Sequence, residues 1–207
     1  MVHRGYKLPG EYCLLLRSIK GVGLPTFFLP SPTRISSASY QVNMISVSTF
    51  ALALLAAAQA VESASAGCGK NPPSSGTKSI TVNGKQRQYI LQLPNNYVSS
   101  KAHRVVFGYH WRDGSMNDVA SGGFYGLRSL AGDSTIFIAP NGLNAGWANN
   151  GGEDITFTDQ LVAMLKNDLC VNEAEFFATG WSYGGSMSHS VACSRPGMFT
   201  VQPLTNP

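Results

Sequence analysis

Residues 176–188 read FFATGWSYGGSMS, and this stretch decides how the rest of the chain is interpreted. Its first four residues predict a buried strand, residues 180–184 form a G-x-S-x-G pattern, and small residues compatible with a helix follow. A chain that turns this sharply from strand to helix needs glycine on both sides, because a Cβ atom there would collide within the turn. The pattern therefore predicts that the Ser182 hydroxyl lies at the apex of the turn as a nucleophile.

The helix predicted after this turn directs its N-terminus toward the Ser182 hydroxyl. The backbone N–H of Tyr183 is then placed to donate to the oxyanion that forms when a nucleophile attacks an ester. G-x-S-x-G alone is a common pattern, and the alternative is a glycine-rich loop in another kind of α/β domain. The strand before it and the helix after it favour the nucleophile.

Length and composition predict one globular domain with a sizeable core, since the chain has 207 residues of which 43% are hydrophobic. Residues 1–66 contain five basic and two acidic side chains, and the remainder contains ten basic and nine acidic. The remainder therefore has no basic stripe that would indicate binding to nucleic acid or to a membrane surface.

The N-terminal region predicts secretion rather than a folded domain. Residues 44–66 resemble a signal peptide, with a nine-residue apolar run at 50–58 and the small residues Ala-Ser-Ala at 64–66 as a cleavage pattern. The run is too short to span a membrane. We interpret residues 1–43 as an over-extended lead before a true start at Met44; the alternative is a transit peptide.

Residues 67–199 alternate strand-like and helix-like segments, which predicts an α/β fold with helices on both faces of a mostly parallel sheet. Asn83-Gly84 predicts a hairpin between the first two strands. Asp154 is the predicted N-cap of the clearest helix. The predicted strands are 79–82, 88–93, 104–110, 135–140 and 176–179, and the predicted helices are 124–131, 155–169 and the segment after Ser182.

Five segments resemble, in order and spacing, segments of secreted fungal feruloyl esterases. They are YHWRDGSMND at 109–118, YGL at 125–127, AGWAN at 145–149, DLC at 168–170 and the strand-to-helix turn at residues 180–184, called the elbow below. These enzymes are α/β-hydrolases related to acetylxylan esterases and polyhydroxybutyrate depolymerases. The resemblance implies a monomeric enzyme without metal or organic cofactor. It also implies cleavage of the ester between a hydroxycinnamic acid, such as ferulic acid, and arabinose on plant cell-wall xylan.

The same resemblance implies roles for five residues at the carboxyl ends of the predicted strands. Ser182 would accept the acyl group, and the backbone N–H groups of Tyr183 and Trp111 would form the oxyanion hole. Trp147 would form one wall for the aromatic acyl group; the alternative is a partly buried tryptophan that contacts no ligand. His110 would lie beside the substrate and orient the loop that follows the predicted strand 104–110. This loop contains Trp111 and is called the oxyanion loop below. This loop departs from the family in one place, with Asp-Gly at 113–114 where two glycines are usual.

The catalytic triad of such enzymes follows the chain order Ser, then Asp or Glu, then His. The 25 residues after Ser182 contain no Asp or Glu, and their one histidine is His189. Seven residues of helix carry His189 about 10 Å away from the turn. His103 precedes a strand at the opposite end of the sheet, where we expect it to be solvated. We therefore expect a chain cut short, with an atypical tail at 200–207, its base and acid beyond residue 207, and activity near background.

Cysteine counting leads to the same expectation. Outside the lead the chain has Cys68, Cys170 and Cys193, an odd number for a secreted protein. A bridge between Cys68 and Cys170 would leave Cys193 without a partner, unless that partner lies in a missing C-terminal part. The alternative is that Cys193 is a buried thiol.

Two other functions stay open at this point. One is a different esterase of the same fold, either an acetylxylan esterase or a polyester depolymerase. The other is a non-catalytic carbohydrate-binding remnant that has kept the fold and lost the chemistry.

Overall fold

A computed structural model describes residues 63–201 of the chain. The predicted lead over residues 1–43 lies outside the described residues, as do most of the predicted signal peptide over 44–66 and most of the tail over 200–207. No helix of the described part is long and apolar enough to cross a membrane.

Six strands of the described region form one mixed sheet. They are β1 (Gly76–Val82), β2 (Lys85–Gln92), β3 (His103–Tyr109), β4 (Thr135–Pro140), β5 (Val171–Gly180) and β6 (Phe199–Val201). Their order across the sheet is β1-β2-β4-β3-β5-β6. β2 is antiparallel to β1 and β4, whereas β4, β3, β5 and β6 are mutually parallel. The carboxyl ends of these four parallel strands therefore lie at one edge of the sheet.

Four helices and three short 3₁₀ turns connect these strands. The helices are α1 (Met116–Ser121), α2 (Leu127–Ala131), α3 (Glu153–Asp168) and α4 (Tyr183–Ser194), and the turns are Gly132–Ser134, Leu143–Ala145 and Asn150–Gly152. The predicted hairpin is confirmed, with Asn83 and Gly84 at φ values of 50° and 76°. β4 has the predicted bounds, and β6 includes the first two residues of the predicted tail.

Two helix predictions were wrong in part. The helix predicted over 124–131 begins only at Leu127, because Phe124 and Tyr125 have φ values of 55° and 60° and cannot continue a right-handed helix. The N-cap of α3 is Gly152 rather than Asp154. Asp154 lies in the first turn of α3, where its carboxylate bonds to groups outside the helix.

Alternate residues of β4 pack into two separate cores, which confirms layers on both faces of the sheet. Ile136 and Ile138 join the larger cluster with the buried face of α3, and Phe137 and Ala139 join a smaller cluster with α1. The predicted four-residue repeat on α3 is confirmed by the burial of Phe157, Leu161 and Leu165, which have no exposed surface. Each such side chain contributes about 1.5–3 kcal/mol of transfer free energy.

The segment just before Cys68 is attached to the start of β5. The Ser65 hydroxyl donates to the Leu169 carbonyl at 2.6 Å and accepts from the Val171 N–H at 3.0 Å. Ala64 forms a β-bridge with Asn172, and only 4% of Ser65 is exposed. These residues are thus part of the folded domain.

A disulfide joins Cys68 to Cys170 across 102 residues of sequence, as expected. No described cysteine is free, and Cys193 has a disulfide partner. The expectation that Cys193 lacks a partner within the chain was therefore wrong.

Candidate active site

Ser182 lies at the apex of a strained turn between β5 and α4. Its backbone has φ 52° and ψ −117°, outside the regions that a residue with a side chain normally adopts. The residue is exposed, and the Gly184 N–H donates to the Trp181 carbonyl at 2.9 Å to close the turn. A strained, exposed serine at a strand-to-helix turn is the arrangement that a nucleophile elbow requires.

The two glycines of the elbow are required by contacts between main chains. A Cβ atom on Gly184 would overlap the Tyr109 carbonyl oxygen and lie 2.6 Å from the His110 carbonyl oxygen. A Cβ atom on Gly180 would lie 2.7 Å from the same Tyr109 oxygen. The elbow therefore packs directly on the end of β3.

This packing brings the predicted oxyanion loop beside the elbow. Tyr109 pairs with Gly180 in the parallel register of β3 and β5, so Trp111 and Ser182 each lie two residues beyond paired positions. Tyr183 is the first residue of α4, and Trp111 is half-buried. The arrangement puts both predicted N–H donors on the same edge of the sheet as the Ser182 hydroxyl.

His110 is fully buried and both of its ring nitrogens are occupied. Nδ1–H donates to the Trp111 carbonyl at 2.7 Å, and Nε2 accepts from the Gly142 N–H at 2.9 Å. His110 thus connects the oxyanion loop to the loop after β4. With both nitrogens engaged, His110 is placed to orient the oxyanion loop and not to accept a proton from Ser182.

Asp113, the aspartate that stands where the resemblance leads us to expect the first of two glycines, has a left-handed backbone. Asp113 has a φ of 64°, a conformation that aspartate tolerates better than most residues, and its N–H donates to the Ala145 carbonyl at 2.8 Å. Gly114 lies under the Trp111 indole, where an added Cβ atom would approach a ring carbon to 2.9 Å. Position 114 therefore requires glycine, because the Trp111 indole packs directly on its backbone.

Tyr125 supports the elbow through the end of β3, a role that the sequence did not reveal. Its hydroxyl donates to the Tyr109 carbonyl at 2.6 Å, the same oxygen that faces the elbow glycines. Burial raises the pKa of this hydroxyl. The positive φ of Tyr125 is the local strain that accompanies this contact.

Trp147 does not line the site with its indole face. Only 4% of the residue is exposed, Nε1–H donates to the His110 carbonyl at 2.8 Å, and the ring packs edge-on against Tyr109. This placement favours the alternative of a structural tryptophan. An exposed aromatic residue beside the nucleophile is Trp181, which retains 44% of its surface directly before Ser182. Trp181 occupies the first variable position of G-x-S-x-G, and the pattern gives no sign that this residue lies beside the substrate site.

A buried ion pair fixes the loop after β4 that contacts His110. Arg87 Nη2 donates to Asp154 Oδ1 at 2.7 Å and to the Asn141 carbonyl at 3.2 Å, and the guanidinium lies 4.2 Å from the centre of the Phe157 ring. Asp154 Oδ2 accepts from the Asn149 N–H at 2.8 Å. The loop is therefore held at both ends by one pair of charges.

Three histidines lie in the described part of the chain, and none is placed to serve Ser182 as a base. His189 is exposed on α4 as predicted, with its ring beside Cys193. His103 is only 1% exposed and its ring stacks on Tyr97, so the expectation that it is solvated was wrong. His103 also lies at the amino end of β3, about 20 Å of strand from its carboxyl end. Within residues 63–201 no three His, Cys, Asp or Glu side chains are grouped as for a metal ion.

Two of these histidines predict that the protein becomes less stable as the pH is lowered. Burial lowers the pKa of His103 and of His110 below the ordinary value of 6.5. The unfolded chain then takes up protons near pH 6.5 while the folded chain stays neutral, so the free energy of unfolding decreases as the pH falls from 6.5 toward the lowered values. We expect calorimetry to show a melting temperature that declines between pH 7 and pH 5, and a weaker decline for His103→Gln.

The matched control is His189→Gln, which replaces an exposed helical histidine. Equal pH dependence for the His103→Gln and His189→Gln variants would contradict this explanation.

The parallel strands, the flanking helices and the elbow define an α/β-hydrolase fold. A solved structure named ferulic acid esterase has this fold in common with the chain, with a TM-score of 0.52 at 17% identity over 62% of this chain and 58% of that one. At such low identity the likeness concerns the fold alone.

Comparison with curated protein sequences gives more similar relatives than the solved structure does. The chain is 51% identical over 153 residues to a probable feruloyl esterase C of Aspergillus clavatus, covering 72% of this chain and 55% of that protein. It is 40% identical over 163 residues to feruloyl esterase D of Neurospora crassa, covering 72% and 56%. The matched region is thus homologous to proteins named feruloyl esterase C and D, and the chain spans about half of their length. No family model matches the chain.

Proposed function

We propose that Ser182 is the acyl-accepting nucleophile of a secreted feruloyl esterase that acts on feruloylated arabinoxylan. The observation that carries the proposal is an exposed serine with φ 52° at a strand-to-helix turn, in a chain homologous to feruloyl esterases. The serine oxygen attacks the ester carbonyl, the alcohol leaves, and water then hydrolyses the acyl-enzyme.

The oxyanion of each tetrahedral intermediate is bound by the N–H groups of Tyr183 and Trp111. The first lies at the N-terminus of a twelve-residue helix, whose dipole favours negative charge. The second belongs to a loop that His110 and Asp113 fix to the neighbouring loop. Loss of one such donor typically costs about 3–4 kcal/mol of transition-state stabilisation.

Trp181 replaces Trp147 as the proposed wall for the aromatic acyl group. Its exposed indole precedes the nucleophile directly, whereas Trp147 is covered by Tyr109 and His110. An offset-stacked aromatic pair contributes about 0.5–1.5 kcal/mol beyond burial. This contact is the proposed source of preference for an aromatic acyl group over acetyl.

The general base and the acid that orients it lie outside residues 63–201 in this proposal. Support comes from the three described histidines, since His110 is saturated with hydrogen bonds, His189 lies along α4 and His103 lies at the far end of the sheet. A serine hydroxyl without a base is a weak nucleophile. We expect the 207-residue chain to hydrolyse methyl ferulate at a rate close to background.

Chemical rescue tests the nucleophile independently of the base. Imidazole added to the 207-residue chain should restore hydrolysis of methyl ferulate by at least about tenfold, since a positioned base typically contributes about 10²–10⁴-fold. Ser182→Ala should remove this gain, and Ser186→Ala, which changes an exposed serine one turn further along, should keep it.

Equal rates with imidazole for the unmodified chain and for Ser182→Ala would contradict the nucleophile. Turnover without imidazole that disappears in Ser182→Ala would support the nucleophile and contradict the inferred position of the base.

A further inference from the structure

A polar cavity of about 420 Å³ opens beside the loop that follows β4. Its walls include four side-chain carboxamides and one buried arginine. These residues are Gln86, Arg87, Gln88, Asn141 and Asn144. The size lies within the range of about 300–1,000 Å³ that small-molecule sites occupy.

The cavity lies at the same edge of the sheet as Ser182. Tyr89 pairs with Pro140 in the antiparallel register of β2 and β4, so the residues before Tyr89 extend beyond the carboxyl end of β4. The Asn141 N–H donates to the Gln88 carbonyl at 2.9 Å and continues this pairing. Three strand spacings, about 14 Å, separate β2 from β5 and its elbow.

One loop connects this cavity to the oxyanion region. Gly142 donates to His110 Nε2, and the Ala145 carbonyl accepts from the Asp113 N–H. Both Gly142 and Ala145 also line the cavity. A molecule that extends from Ser182 across this loop therefore reaches the carboxamides.

The chemistry of the walls favours a neutral ligand with many hydroxyl groups. The carboxamides of Gln86, Gln88 and Asn144 offer both donors and acceptors, which hydroxyl groups can match in either direction. Asn141 Oδ1 already accepts from the Met116 N–H at 3.0 Å. The charge of Arg87 is balanced by Asp154, and that of Lys85 by Glu153, so the walls offer no excess charge to an anion.

We propose that this cavity, named here the carboxamide subsite, binds a sugar residue of the polysaccharide beyond the sugar that carries the ester. The proposal rests on the proposed function for the choice of ligand. The carboxamides give the subsite its affinity for hydroxyl groups. It therefore distinguishes a polysaccharide ester from a simple methyl ester, which ends at Ser182.

The test is an NMR titration of the full 207-residue chain with an arabinoxylo-oligosaccharide that carries no ferulate. Saturable shifts are expected for the side-chain amide signals of the subsite. Gln88→Ala should raise the dissociation constant about fivefold, as loss of one hydrogen bond of ordinary strength predicts. Asn95→Ala, an exposed carboxamide beyond the other end of β2, is the matched control and should leave it unchanged.

Three outcomes would overturn the subsite: no saturable shift of these amides, equal dissociation constants for Gln88→Ala and Asn95→Ala, or shifts caused by inorganic phosphate and not by the oligosaccharide. Ser182→Ala should bind the oligosaccharide as tightly as the unmodified chain. Failure of imidazole rescue with intact amide shifts would reject the esterase and keep the subsite, and the reverse pattern would reject the subsite alone.

Discussion

Gly184→Ala is expected to destabilise the protein by at least about 3 kcal/mol and to abolish the elbow, because the new methyl group has no space. It would overlap the Tyr109 carbonyl oxygen and press on that of His110, and both belong to the backbone at the end of β3. A flexible side chain could rotate away, but these main-chain atoms cannot move without breaking the pairing of β3 with β5. Urea denaturation followed by circular dichroism measures the loss.

Gly185→Ala is the matched control for this substitution. Its Cβ atom would lie 3.1 Å from the Gly180 carbonyl oxygen, a tight contact that a shift of a few tenths of an ångström relieves. Alanine also favours the helix over glycine by about 1 kcal/mol. We expect a change below about 1 kcal/mol, and equal losses for the two variants would contradict the proposed packing of the elbow.

Asp154→Ala is expected to cost about 3–5 kcal/mol, because it leaves the Arg87 charge buried without a partner. Both side chains are almost completely buried, with exposed fractions of 1% and 2%. The substitution also removes the acceptor for the Asn149 N–H, so the loop that contacts His110 should loosen. The free energy of unfolding in urea measures the effect.

Glu153→Ala provides the comparison, since its partner Lys85 has a side chain that is 59% exposed. An exposed pair of this kind contributes at most about 1 kcal/mol. Replacing both buried partners, as in Arg87→Met with Asp154→Leu, should recover most of the stability lost in Asp154→Ala. A double variant no more stable than Asp154→Ala would contradict the assignment of the loss to an uncompensated charge.

The parts of the fold that the sequence predicted well are those set by neighbours along the chain. β4 has its predicted bounds because four β-favouring residues are followed by Ala139 and Pro140, which leaves a buried strand few alternatives. The hairpin follows from Asn83-Gly84, whose residues tolerate positive φ. The elbow was predicted for the same local reason.

The parts that were missed depend on residues distant in sequence. Asp154 looked like a cap because its partner Arg87 lies 67 residues earlier. Trp147 and Trp181 are both tryptophans in loops, and only packing against Tyr109 and His110 makes the first structural. α1 had a local signal in the Ser115 hydroxyl that accepts from the Asp118 N–H, but six residues give little periodicity to detect.

The attachment of Ser65 to the sheet bears on how a precursor of this protein could be processed. Proteolysis after Ala66 would remove the hydroxyl and leave the Leu169 carbonyl and the Val171 N–H to find other partners. An orphaned buried polar group costs about 1–3 kcal/mol. The spacing of small residues recurs as Ala-Gln-Ala at 58–60, and a cut there would spare the hydroxyl. A mature protein that keeps this attachment must therefore start no later than Ala64.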